Sequence, residues 1–194
     1  MGATLALAGK KVVMLEFDLR KPKLLSDMGL SARAGITNYL VSNDIDVNDI
    51  TMPVPDFPNL FVIGCGDSPP NPSELILGDK MNDLFARLNE EYDHVIIDSP
   101  PVGLIADAYN LARFADRTLY IIRYNYTLKE QLNVIKDIKE KGSLKNLMLI
   151  LNDARKENMQ GYGNYGYGYH YGYGYVNEEE EMPWLQRIFK KRSR

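Results

Sequence analysis

The sequence has a single cysteine, Cys65, among 194 residues, so it can close no disulfide within itself. One thiol fits a reducing compartment, and with no histidine nearby in sequence Cys65 reads as a small apolar side chain rather than a nucleophile. Histidine is nearly as scarce: His94 and His170 stand too far apart for a metal-ligand spacing. No apolar run approaches the roughly 20 residues that cross a bilayer, and no secretory leader is evident, so the chain is expected to be soluble by itself. An excess of basic charge is also lacking. The net charge of -3 argues against a protein that coats nucleic acid, and no nucleic-acid partner is expected.

What is present suits one domain followed by a tail. The apolar share of 45% is ordinary for a globular protein. Residues Gly2 to Gly9 read as the last turns of a helix with Gly9 as its stop, and no N-cap precedes them, as though the chain opened inside an element. Short apolar runs at 12–15, 60–63, 94–98, 118–123 and 146–151 have the length of buried strands. Helical patterns at 74–90, 105–114 and 128–141 lie between them. Buried strands alternating with amphipathic helices predict an α/β fold, a mostly parallel sheet flanked by helices, over residues 1–154.

Parallel sheets of this kind bind ligands beyond the carboxyl ends of their strands, and two strands here end in acid. The first runs Val12-Val13-Met14-Leu15-Glu16-Phe17-Asp18-Leu19-Arg20-Lys21-Pro22. If it stays extended, Glu16, Asp18 and Arg20 project to one face. The second runs Val95-Ile96-Ile97-Asp98-Ser99-Pro100-Pro101, where the prolines turn the chain out of the sheet. Carboxylates gathered at strand ends are hard oxygen ligands for Mg²⁺ beside a nucleotide's phosphates, and one of them can take a proton from an incoming hydroxyl. Either motif alone is an ordinary cap or turn. Together they point to nucleotide chemistry. A third stretch, Gly64-Cys65-Gly66-Asp67-Ser68-Pro69-Pro70-Asn71-Pro72-Ser73-Glu74-Leu75, is a turn-rich loop opening a helix, with Asn71 as N-cap and Pro72 in the first turn.

Residues 155–194 differ in kind. Seven of the thirteen tyrosines, Tyr162, Tyr165, Tyr167, Tyr169, Tyr171, Tyr173 and Tyr175, alternate with glycine and have no aliphatic neighbours with which to build a core. A disordered tail of accessible phenols suits phosphoryl transfer, and it equally suits a sticky aromatic segment or a stacking surface. An acidic run, Glu178 to Glu181, follows. In the basic end beyond it, Trp184, Leu185, Ile188 and Phe189 share one helical face. Contact with an anionic membrane, a short docking helix and a solvated end all remain open for this segment.

With these motifs in order, the chain resembles the bacterial tyrosine kinases of capsule and exopolysaccharide synthesis. Val12 to Pro22 resembles their Walker A′ segment, Ile96 to Pro101 their Walker B, and Gly66 to Leu75 their Pro-Pro-Asn-Pro-x-Glu-Leu loop. Gly35-Ile36-Thr37-Asn38-Tyr39-Leu40 and the tyrosine cluster also fit. The resemblance implies a P-loop NTPase-like domain that uses ATP and Mg²⁺. Asp18, Asp98 and Glu16 would be its metal-organising and catalytic carboxylates, Arg20 a cofactor-binding residue, and the seven tail tyrosines the acceptors. Glu16 stands where the family more often has aspartate. A ring-like homo-oligomer, phosphorylation of one subunit's tail by its neighbour, a membrane co-polymerase segment or adaptor, an opposing tyrosine phosphatase and a place on the cytoplasmic face of the bacterial inner membrane are implied in the same way.

One family element is missing. No G-x-x-x-x-G-K-[ST] loop occurs in the sequence, and Gly9-Lys10-Lys11 follows a helix instead of opening one. The amides and lysine of such a loop hold the phosphates in place. The chain alone is therefore expected neither to bind ATP tightly nor to transfer phosphate, and a strand is expected to be wanting inside its sheet. Three readings follow: the C-terminal part of a tyrosine autokinase, a non-catalytic acceptor or regulatory subunit, or a partition-type ATPase. The tyrosine tail counts against the last.

Overall fold

The computed structural model describes residues 1–69, 71–102 and 106–154. The tyrosine cluster, the acidic run, the basic end and the expected helix start at Ile105 lie outside the described residues. Strand β1 (Val12–Glu16) forms where its apolar run predicts, with Val12, Val13 and Leu15 fully buried. It is central because it has a parallel partner on each side, β3 (Phe57–Ile63) and β4 (His94–Asp98). An antiparallel strand, β2 (Thr51–Val54), completes the order β2-β3-β1-β4. The apolar-run reading misses β2 because Pro53 interrupts it, and an edge strand tolerates that proline.

Helix α1 (Gly2–Leu7) covers one face of this sheet, with Ala6 packed among Val12, Leu60 and Val62. Gly9 ends it as expected, in the left-handed conformation (φ +81°), with its amide on the Ala6 carbonyl. On the other face lie α5 (Pro72–Leu77) and α6 (Lys80–Glu91). Ile76, Met81, Leu84, Phe85 and Leu88 join Val13, Leu15, Phe17 and Ile63 in the main core. The single helix expected over 74–90 is broken, because Gly78 adopts an extended conformation (φ -69°, ψ 159°). The loop between β1 and β2 carries three short helices, α2 (Leu24–Asp27), α3 (Ile36–Val41) and α4 (Val47–Ile50).

Helix α7 (Asp107–Leu111) runs into a 3₁₀ turn (Ala112–Phe114), and Phe114 stacks on Phe85 at 4.3 Å between centroids. Strand β5 (Thr118–Arg123), helix α8 (Leu132–Lys141) and strand β6 (Leu147–Asn152) follow, β5 and β6 pairing in parallel. The expected single sheet is thus divided: β5 and β6 form a two-stranded sheet of their own. Among the described residues β4 pairs only with β1 and β5 only with β6, so each keeps one edge without a strand partner. In this second sheet Ile121 of β5 is 62% and Leu149 of β6 54% exposed.

Candidate functional site

Strand register brings two of the sequence-predicted residues side by side. Glu16 and Asp98 are the last residues of β1 and β4 and stand opposite one another in the parallel ladder. The ladder closes just beyond them, where the Phe17 amide donates to the Asp98 carbonyl at 2.8 Å. Asp18 and Arg20 are not on the strand: β1 ends at Glu16, and buried Phe17 and Leu19 alternate with partly exposed Asp18 and exposed Arg20 along the loop. Asp18 Oδ1 accepts the Lys21 amide at 3.1 Å, which folds that loop back into a turn.

Electrostatics ties the three carboxylates together. The Asp98 carboxyl is held above its usual range, first by partial desolvation and then by the negative charges of Glu16 and Asp18. Crowded hard oxygens of one sign fit a divalent cation, which would offset that repulsion. Among the described residues no three acidic, histidine or cysteine side chains converge closely enough to enclose a metal unaided. A Mg²⁺ site that draws most of its oxygens from water and nucleotide needs only one or two carboxylates from the protein.

Arg20 has a different setting from the one its motif suggests. Its Nη2 donates to Ser73 Oγ at 3.3 Å and its Nε lies 3.8 Å from Asp107 Oδ2. Ser73 Oγ in turn donates to Asp107 Oδ1 at 2.6 Å, and the Asp107 side chain is 3% exposed. This small network joins the β1 loop, the start of α5 and the start of α7. A buried aspartate needs such partners, since an unpaired buried charge is costly. Sequence reasoning missed Asp107; its only signal is an acid at the head of a predicted helix, which reads equally as a cap.

Thr37 and Asn38 are the other residues sequence reasoning left without a role. At the head of α3, Ile36 and Thr37 amides donate to the Gly64 and Cys65 carbonyls, both at 2.9 Å. The Thr37 hydroxyl donates to the carbonyls of Cys65 and Asp67, and Asn38 Nδ2 donates to Asp67 Oδ2 at 2.7 Å. The Gly-Ile-Thr-Asn segment is therefore a clasp on the loop leaving β3. Gly35 is required there: a Cβ would lie 2.3 Å from both the Gly64 carbonyl oxygen and the Gly66 amide nitrogen. Cys65, below this clasp, is buried, and burial followed by the charges of Glu16, Asp67 and Asp18 pushes its thiol up to about 11.

Helices on both faces of a mainly parallel sheet and acids at the carboxyl ends of neighbouring strands define an α/β protein of the P-loop NTPase type. Solved structures agree on the fold: the cell division ATPase MinD of Pyrococcus furiosus superimposes with a TM-score of 0.61 at 19% identity. Other solved structures are more similar in sequence as well. The chimerical protein CapA2B2 gives a TM-score of 0.74 at 30% identity, covering 80% of this chain and 68% of that one. The kinase domain of the Escherichia coli tyrosine kinase ETK gives 0.69 at 26% identity, covering 87% of this chain and 64% of that one. No protein-family model matches the chain. Among curated proteins, the tyrosine-protein kinase CpsD of Streptococcus agalactiae is 31% identical over 167 residues, which is 86% of this chain and 72% of that protein. The tyrosine-protein kinase ptk of Acinetobacter johnsonii is 34% identical over 181 residues, 93% of this chain but 24% of the relative. The chain belongs to the bacterial tyrosine kinases of the capsular and exopolysaccharide biosynthesis family.

Proposed function

We propose that this chain is the C-terminal part of an ATP- and Mg²⁺-dependent protein-tyrosine autokinase that regulates capsular or exopolysaccharide synthesis and export. The observation that carries the reading is the pairing of Glu16 with Asp98 across β1 and β4, with Asp18 close enough for its charge to act on Asp98. Asp18 and Asp98 hold the cation, and Arg20 stands at the edge of the nucleotide site. A bound Mg²⁺ would supply charge compensation for phosphoryl transfer. Tail residues Tyr162, Tyr165, Tyr167, Tyr169, Tyr171, Tyr173 and Tyr175 accept phosphate from a neighbouring subunit of a ring-like homo-oligomer. A flexible tether raises the tail's effective concentration at the next site. In this reading the assembly works at the cytoplasmic face of the inner membrane with a co-polymerase segment or adaptor, and a tyrosine phosphatase reverses it. Among the described residues no helix is long and apolar enough to cross a membrane.

The phosphate-cradling loop comes from a further segment or another subunit, because its motif is absent from these 194 residues. Its strand would pair at an edge of β4 or β5, each of which has one edge without a strand partner among the described residues. The same absence favours a second reading, a phospho-acceptor subunit that performs no transfer itself. Incubation with ATP and Mg²⁺ tests both. This chain alone is expected to yield no phosphotyrosine, and mixing it with a loop-containing kinase of the family is expected to label the tail. Labelling of the chain alone overturns its inactivity. Absence of labelling in the mixture, while the added kinase turns over, overturns both acceptor readings.

A further inference from the structure

We infer that Glu16 is a positioning residue: its carboxylate ties two backbone segments together beneath the rim and leaves the cation to Asp18 and Asp98. Both of its oxygens are engaged. Oε1 accepts the Leu24 amide at 2.5 Å and Oε2 accepts the Cys65 amide at 3.2 Å. Leu24 opens the single turn α2, where an N–H has no acceptor within its own helix. Cys65 lies in the loop leaving β3, so one side chain on β1 holds the segment after its own strand against the segment after the neighbouring one. These bonds to an ionised acceptor are of the stronger kind.

Access supports the same assignment. Glu16 is 2% exposed, whereas Asp98 is exposed and Asp18 partly so. Mg²⁺ gives up its water reluctantly and keeps several molecules of it, so a fully covered carboxylate is a poor ligand beside two accessible ones. On the β3 side Glu16 is packed close to Gly64, which itself lies against Leu25. A Cβ on Gly64 would lie 2.3 Å from Leu25 Cδ1 and 3.7 Å from Glu16 Oε2. The extra methylene of glutamate gives the reach to a second backbone segment that an aspartate on the same strand lacks. Arg20, tied to Ser73 and Asp107, anchors the far end of the loop. The Glu-x-Asp-x-Arg run thus reads as anchor, ligand, anchor.

The cation half of this inference rests on the kinase reading; the clasp does not. The test uses the 194-residue chain with Mn²⁺ alone as the probe, read by electron paramagnetic resonance, together with amide hydrogen exchange at Leu24 and Cys65. In Glu16→Gln, exchange at both amides is expected to accelerate about tenfold or more, in line with loss of a charge-assisted bond. Mn²⁺ affinity is expected to change less than about threefold, against about tenfold or more in Asp18→Asn and Asp98→Asn, which lose a direct ligand. Unchanged exchange in Glu16→Gln, or a fall in Mn²⁺ affinity matching that of Asp18→Asn, overturns the inference. If Glu16→Gln does not fold, the wild type decides the clasp. Leu24 and Cys65 amides exchanging as fast as unprotected loop amides overturn it. Wild-type chain that takes up no Mn²⁺ overturns the cation assignment, while the tail-labelling experiment decides the kinase reading and the exchange data still decide whether Glu16 is a clasp.

Discussion

Strands β1 and β6 are written in nearly the same aliphatic language and have opposite fates. Val12, Val13 and Leu15 are fully buried, while Leu149, Ile150 and Leu151 are 54%, 40% and 51% exposed. The difference lies in their neighbours. β1 has a strand on each side, α1 on one face and α6 beyond the other. β6 pairs only with β5 among the described residues, and a small cluster of Ala112, Ile138 and Leu144 is all the buried core in that half. An apolar strand is buried only when both its edges and its faces are taken, and among the described residues those of β6 are not.

The largest expected effect comes from making one truncation in both halves. Leu15→Ala removes a fully buried side chain and is expected to cost about 2–5 kcal/mol. Leu151→Ala, half exposed, is expected to cost less than about 1 kcal/mol. Urea denaturation followed by circular dichroism measures both. Comparable losses would show that β6 is covered in solution and would erase the contrast.

A smaller but still substantial loss is expected at the clasp that makes the packed half rigid. In Gly35→Ala the new Cβ meets backbone atoms of Gly64 and Gly66, which cannot swing aside as a side chain can. The expected destabilisation is about 1–3 kcal/mol, the range for overpacking a tight site. Gly142, in the sparse half, ends α8 with nothing within 4 Å of its Cβ position but with φ at +60°. Gly142→Ala is therefore expected to cost only about 1 kcal/mol, from backbone strain alone. Equal losses, again by urea denaturation, would mean that α3 does not grip the β3 loop.

Much of this arrangement was legible in the residues, for identifiable reasons. The runs at 12–15, 60–63 and 94–98 are short, apolar and bounded by turn residues, and each became a strand of the main sheet. The acidic ends of β1 and β4 followed from strand position, and register then placed Glu16 beside Asp98. What the residues did not disclose depends on distant partners. That Glu16 accepts backbone amides 8 and 49 positions away, or that Arg20 reaches Ser73 and Asp107, has no local signature in the sequence. A carboxylate in a glutamate looks the same whether its oxygens face water or amides. The split between β4 and β5 was foreseen only through a missing loop motif, since each strand taken by itself reads as complete.

The gentlest probe of the contrast is thiol chemistry. Cys65 belongs to the packed half, and burial together with the nearby carboxylates holds its thiol up at about 11. The thiolate is the reactive form, so near pH 8 a cysteine shifted from about 9 to about 11 carries roughly a hundredfold less of it. Ile121, 62% exposed on β5, offers a matching site in the sparse half. In Ile121→Cys, alkylation by iodoacetamide is expected to modify position 121 at least about a hundred times faster than Cys65, with burial slowing Cys65 further. The pH dependence carries a sign as well. A thiol whose folded pKa is raised favours the folded state below its ordinary pKa, and that contribution disappears as pH rises through about 11. Cys65 should therefore become reactive, and the packed half less stable, in one alkaline step, while position 121 titrates as a free thiol. Similar rates at the two positions would mean that the β3 loop opens readily and that the clasp and the Glu16 anchor do not hold it.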